Sequence, residues 1–485
     1  MSRRSVLGPV LLRIREAVLL PGARRAVRLW WVGLPGWVQA LAIYGLSRIV
    51  DAIILDRVAR FQSAAILRQV FWLVPGTDPN GTPGYLGFVS LWDGEWYHLI
   101  ARDGYPEVLP RDETGTVPQN PWAFYPLYPY LVRFLMGITG ASWPLTASLV
   151  ALASGALAVV LMRSVVARVA GPSLALWTVA LFVSFPSAPV LQLAYTESLS
   201  LLLLLGVLWT LQRGWYLSTA VLVLLVGLSR PIAVPLAAVI GIHLLRHLYG
   251  WFRWRRAAGP RGRGATGDAA LTGDGAGVAI PDGVGAGTPD GESAGTPAPD
   301  GARAGTPDGE AFGRPPSLRS LATLFVATVA AGLAAVLWPL IAWARTGERN
   351  AYLETMAAWR SHANMAPFYP WWANARLWLG DWGGPLFLAA LLIVLALWLT
   401  GPRARVISGD LRVWVIAYLG YLGAVLDVHT SVARYLLLLF PLGTLLAAAS
   451  PSRAFRWSLV LASTAAQIVW VVWLWRISAP PEWPP

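Results

Sequence analysis

"WVQALAIYGLSRIVDAIIL", residues 37–55, is a nearly continuous apolar run broken by one arginine and one aspartate. At 1.5 Å rise per residue such a run matches a hydrocarbon core of ~30 Å, so it reads as a transmembrane helix. The pattern recurs along the chain. About eleven runs of this kind are found, near 37–55, 145–167, 172–190, 198–212, 215–229, 231–248, 319–343, 384–400, 411–427, 433–449 and 457–475. Composition agrees. The 485 residues are 56% hydrophobic and 13% charged, with mean hydropathy +0.54, whereas a soluble chain carries about 25% charged residues. The expected fold is all-α, a polytopic transmembrane helical bundle.

Charge placement orients the bundle. The chain has no lysine, so all 38 basic residues are arginine, and the net charge is +13. These arginines sit mainly at the ends of apolar runs, which points to topology rather than to nucleic acid. With no cysteine, disulfides and thiolate metal sites are excluded. In "MSRRSVLGPVLLRIREAVLL", Arg13, Arg15 and Glu16 interrupt what would be a signal-peptide core. Residues 1–36 therefore read as a basic amphipathic segment on the cytoplasmic surface. Arg24, Arg25 and Arg28 place the N-terminus inside. Residues 57–121 hold five arginines and seven acids, so this long loop, with its own juxtamembrane helices, is expected outside.

The run "FYPLYPYLVRFLMGI", residues 124–138, carries Pro126 and Pro129 and is read as dipping into the membrane without crossing. If it crossed, six arginines between 246 and 263 would face outward with no acid among them. The C-terminus is then external. Residues 257–317 repeat "AGTPDGE" at 286–292 and 304–310 and lack periodic large apolar residues, so they are expected to form a disordered cytoplasmic linker. It separates an N-terminal membrane half, 37–256, from a C-terminal half, 318–485.

With this topology the polar outliers gather on the outer side. They lie in "LWDGEWYHLIARDGYP" at 91–106, "YTES" at 195–198, "SRP" at 229–231, "AAWRSHANMAPFYPWW" at 357–372 and "LDVHTSVARY" at 426–435. In the first of these, Trp92, Trp96 and Leu99 form an apolar helical stripe, and Glu95, His98 and Arg102 a polar one. The alternative makes Asp93 a helix cap and the polar stripe a solvated face. Glu197 stands at the end of an apolar span, where a carboxylate is costly without a partner; capping of the next span is its other reading. Arg434 and Arg230 offer planar cationic forks suited to phosphate oxygens, or they snorkel to lipid headgroups. His98, His362 and His429 lack HxH or HExxH spacing, so no metal or other cofactor is expected.

The segments "WDGEWYHLIARDGYP", "AFYPLYPYL", "SFPSAPVLQLAYTESL", "GLSRPIAVPLA", "AAWRSHANMAPF" and "VARYLLLLFPL", in this order, resemble the PIG-V (GPI mannosyltransferase II) family of membrane glycosyltransferases with the GT-C fold. The resemblance implies inverting transfer of mannose from a polyprenyl-phosphate-mannose donor on the extracytoplasmic side of the cell membrane. It also implies an acidic catalytic base in the first external loop, a position matched by Asp93. Arg434 is then the first candidate for the departing phosphate, with Arg230 and His429 beside it. Tyr195, Glu197 and His362 would orient sugar hydroxyls, Trp92 would cover an apolar sugar face, and Glu95, His98 and Arg102 would complete the sugar and acceptor contacts. The arginine-only, alanine-rich composition fits a GC-rich bacterial chain, so the acceptor is left as a lipid, glycan or protein. Two other readings compete: a transporter or flippase for a lipid-linked sugar, and a non-catalytic subunit of a glycosylation complex.

Overall fold

Two glycines in the long helix after residue 143 decide how the chain is folded back on itself. The computed structural model describes residues 29–62, 83–257, 317–360, 366–428 and 430–476. The expected N-terminal surface segment through residue 28, the linker at 258–316, His362 and His429 lie outside the described residues. Helix α1 spans Gly36–Ala59, α2 Tyr85–Phe88, α3 Asp93–Asp103, α4 Leu127–Thr139 and α5 Trp143–Val183. Straight, α5 would be about 60 Å long, twice a bilayer core. It is not straight: Gly171 has φ 82° and ψ 164°, and Pro172 follows. A side chain at Gly171 would be strained there, and the proline removes a donor.

Contacts with α1 show that the chain reverses at this break. The Arg163 guanidinium fills the space beside Gly36, and Tyr44 packs on Gly155, where no Cβ would fit. The Tyr44 hydroxyl donates to the carbonyl of Leu152 at 3.1 Å, so α1 and the first part of α5 run antiparallel. Arg48 then donates to the carbonyls of Ala188 at 2.7 Å and Val183 at 3.3 Å. Val183 has therefore returned toward the end of α1 that Arg163 left behind. This is the division into 145–167 and 172–190 expected from the hydropathy pattern. Arg48 also approaches Asp51 at 2.8 Å, and both are buried within the apolar span.

Beyond α5 come α6 Glu197–Gln212, α7 Tyr216–Gly227, α8 Ala233–Ala257 and α9 Leu318–Thr346. Then follow α10 Ala351–Ala357, α11 Tyr369–Thr400, α12 Gly409–Val425, α13 Val432–Leu436, α14 Phe440–Ala448 and α15 Arg453–Leu474. The described residues are all-helical, and six of these helices are long and apolar enough to cross a membrane. This is a helical membrane protein. The count of about eleven is coarser in the structure, for physical reasons. α5 merges two expected spans, while α6 and α7 are only 16 and 12 residues long. The run at 433–449 is broken into α13, a 3-10 turn at Leu437–Leu439 and α14, which begins beside Pro441. α4, with 13 residues, spans only about 20 Å.

Small residues set the closest helix approach. At Gly227 of α7 a Cβ would lie 2.5 Å from the carbonyl oxygen of Ala334 on α9, a contact of the small-residue type that drives packing in lipid. The described end of the first long loop and the turn after it are wedged against α9. Trp122, Tyr125, Leu109 and Val117 form a buried cluster with Trp338 and Ala342 of α9, and the Trp338 indole donates to the carbonyl of Trp122 at 3.0 Å. Arg111 binds Glu354 of α10 at 3.0 Å. The described residues up to Leu244 and those from Leu318 onward form one compact unit. A second unit begins at Leu245, within α8, which stays helical to Ala257. Its described turns carry Arg255 stacked on Trp251 at 4.3 Å.

Candidate functional site

Four charged side chains from four separate segments meet beside the first turn of α3. Asp93 opens α3, and the residue before it, Trp92, holds φ 60° and ψ −121°, a costly conformation for a side chain of this size. That turn directs Asp93 inward. A close approach behind it fixes the position: at Gly94 a Cβ would touch that of Ala194 at 3.4 Å. Ala194 donates its N–H to the carbonyl of Val89 at 2.9 Å, and the Tyr195 hydroxyl donates to that of Leu91 at 3.2 Å. The loops 89–93 and 188–196 are thus tied edge to edge, which brings Glu197, the first residue of α6, next to Asp93.

The cations arrive from the far side. Arg230 lies between α7 and α8, and its neighbour Ser229 shares a hydrogen bond with Ser200 of α6 at 2.8 Å. Arg434 lies in α13, held by Ser187, whose hydroxyl donates to the carbonyl of Ala433 at 2.7 Å. Arg434 Nη1 donates to Asp93 Oδ2 at 2.8 Å and lies 3.6 Å from Glu197 Oε1. The same Glu197 oxygen is 3.0 Å from Arg230 Nη1, a charge contact without an aligned hydrogen bond. Each guanidinium also covers a tyrosine ring at 5.0 Å, Arg434 that of Tyr195 and Arg230 that of Tyr435, a cation–π geometry.

The charges balance, two carboxylates against two guanidiniums. They must, because an isolated ion in such a place costs several kcal/mol. Glu197, Arg230 and Arg434 are buried. Asp93 differs: its side chain keeps 24% of its exposure, so it is the member a substrate can reach. Arg434 Nε is buried with no hydrogen-bond partner among the described residues. Tyr97, one helical turn after Asp93, shares a hydrogen bond with Thr196 at 3.2 Å. Burial first, then the charge of Asp93, holds its phenol well above the usual range, so it stays protonated.

Of the residues singled out in the sequence, the structure brings together Asp93, Tyr195, Glu197, Arg230 and Arg434, with Trp92 as the turn beside them. It does not bring in the rest of the polar stripe. Glu95 is buried and not on a solvated face. His98 stacks flat on Trp143 at 5.2 Å, and burial lowers its pKa. Arg102 is exposed and pairs with Asp103 at 2.7 Å. The reason is helical phase: Asp93 and Tyr97 share a face at i and i+4, and Glu95, His98 and Arg102 lie on others. Trp96 is likewise no lone headgroup anchor, since it stacks on Phe124 at 5.6 Å. Sequence reasoning missed Tyr97, Thr196 and Tyr435. The i, i+4 spacing from Asp93 was the available signal for Tyr97; the other two carry none beyond their adjacency to Glu197 and Arg434. Among the described residues no group of three potential metal ligands converges. No protein-family model and no curated protein matches the chain.

Proposed function

We propose that this chain is a membrane glycosyltransferase of GT-C type that moves a mannosyl residue from a polyprenyl-phosphate donor to an extracytoplasmic acceptor, with inversion and with Asp93 as base. The observation that carries this reading is the pairing of an accessible carboxylate, Asp93, with a buried arginine, Arg434, 2.8 Å away. The reaction needs both chemistries in one place. The acceptor hydroxyl oxygen bonds to C1 of the sugar as its proton passes to Asp93, within about 3 Å. The C1–O bond to phosphate breaks, its electron pair stays on the phosphate, and preorganised cations stabilise that growing charge.

In the resting site Arg434 is engaged by Asp93 itself. Donor phosphate competes for this guanidinium, whose Nε edge has no other partner, and a fork of five N–H donors serves two anions at once. As the phosphate draws Arg434 away, the Asp93 carboxylate loses a stabilising charge and becomes the stronger base. Glu197, itself paired with Arg230, holds Arg434 between these two positions. The membrane setting fits a donor whose isoprenoid tail stays in the bilayer, since each buried CH₂ is worth about 0.8 kcal/mol.

The test is mannose transfer from polyprenyl-phosphate-mannose by the purified, reconstituted chain and its Asp93→Asn variant, against a panel of lipid, glycan and peptide acceptors. A fall of about 10² or more is expected, the range removal of a general base gives. Near-normal turnover by a correctly folded variant removes Asp93 from the role. Movement of a lipid-linked sugar across the bilayer without transfer would replace this reading with transport, and inactivity in every arm would favour the non-catalytic subunit.

A further inference from the structure

The end of α6 away from Glu197 carries a second, differently charged site. Gln212 is about 22 Å along the helix from Glu197. There α5 and α6 flank an open pocket of about 360 Å³ lined by Arg163, Ser164, Arg168, Trp209, Gln212 and Arg213. Three guanidiniums line it and no carboxylate does. In the Asp93 cluster each arginine has an acid beside it; here none of the three has one among the described residues. Like charges gathered in this way repel, and a cationic pocket raises the local concentration of anions.

The pocket is also built. Arg213 lies over the Trp209 ring at 4.1 Å, and the Trp209 indole donates to Ser164 Oγ at 3.2 Å, so the platform under that guanidinium is fixed. Arg163 packs against Gly36 of α1. Its Nε and the Gln212 Nε2 are buried donors with no hydrogen-bond partner among the described residues, a state that costs free energy until an acceptor arrives. An acceptor-only anion with several oxygens satisfies all of these groups together, and phosphate is the one that matches arginine forks.

We propose that this pocket binds a phosphate group, at the membrane face opposite the Asp93 cluster. By the positive-inside rule that face is cytoplasmic. The group belongs either to the headgroup of an anionic phospholipid or to a soluble phosphate.

The experiment uses the full chain and its Arg168→Gln/Arg213→Gln double variant, both substituted residues being exposed so that folding is spared. Arg60→Gln, an exposed arginine elsewhere, serves as control. One arm counts phosphatidylglycerol retained by native mass spectrometry from nanodiscs of phosphatidylcholine doped with that lipid. The other titrates pyrophosphate into protein in phosphatidylcholine nanodiscs. Binding in either arm that falls about tenfold in the double variant, as loss of charge-assisted hydrogen bonds predicts, and is unchanged in the control, supports the site and names the source. Equal binding by all three proteins, or no binding by wild type in either arm, overturns it.

Discussion

Replacing Glu197 by glutamine removes the one negative charge that faces both buried arginines, and the structure sets the size of the effect. Glu197 Oε1 lies 3.0 Å from Arg230 and 3.6 Å from Arg434. At an effective dielectric constant of about 20, each contact carries roughly 5 kcal/mol of Coulomb attraction. Part of the sum is offset because the carboxylate no longer has to be stripped of water. What remains is the cost of leaving buried guanidiniums under-compensated, about 3–5 kcal/mol for broken buried pairs. The assay is reversible unfolding of the purified protein in mixed detergent micelles, followed by far-ultraviolet circular dichroism. Glu197→Gln should lose that amount. Adding Arg230→Met should cost less than the sum of the two single changes, by about 1 kcal/mol or more, because the pair is removed as a unit. A single-variant loss under about 0.5 kcal/mol, typical of a surface change, or strict additivity in the cycle, would refute the argument that Glu197 holds this cluster together.

Gly227→Ala should force α7 from α9, since the new Cβ would stand 2.5 Å from the carbonyl oxygen of Ala334; a loss of about 1–3 kcal/mol is expected, and an unchanged unfolding midpoint would contradict the packing. His98 is held neutral by burial, so its folded pKa lies below its unfolded value of about 6.5. Its contribution is therefore present above that value and is lost as pH falls through the folded pKa. His98→Phe, which keeps an aromatic ring on Trp143, should show a smaller drop in unfolding midpoint than wild type between pH 7 and pH 5. Arg434→Lys keeps the charge but not the fork; under the proposed reaction it should lower kcat more than it raises KM, and the reverse split would make Arg434 a ground-state binding residue only.

How much of this was legible in the sequence follows from what each signal depends on. Apolar runs report burial in lipid or protein, so the helical class and the α5 reversal at Gly171–Pro172 could be read directly. Span count could not, because α6 and α7 are only 16 and 12 residues long within their apolar runs, and α13–α14 is broken near a proline within an otherwise spanning run. Polar residues in an apolar context flagged Asp93, Glu197, Arg230 and Arg434, and these four converge. The stripe Glu95–His98–Arg102 misled because any three helical positions of suitable spacing share a face; which face points inward is decided by Trp92's turn and by Gly94 against Ala194, both tertiary. Arg48 and Asp51 form a buried pair inside the first span. Their i, i+3 spacing within "SRIVD" marks them by the same rule that flagged Glu197.

Charge conservation links the resting geometry to the proposed chemistry. At rest the two carboxylates cancel the two guanidiniums. In the proposed reaction a donor phosphodiester would bring one further negative charge, leaving the loaded site short of cation, and the cheapest place for that excess is beside the part-exposed Asp93, where water still screens it. In the proposed transfer that excess would move. The acceptor proton neutralises Asp93, while the departing phosphate gains the charge that Asp93 gives up. Arg434, bonded to Asp93 before the step, has every electrostatic reason to follow that charge to the phosphate. Glu197, 3.6 Å from Arg434, keeps it in reach of both. Under the proposed reaction a single arginine shared between base and leaving group thus stabilises whichever of the two is the more anionic, while the second buried cation, Arg230, stays compensated by Glu197.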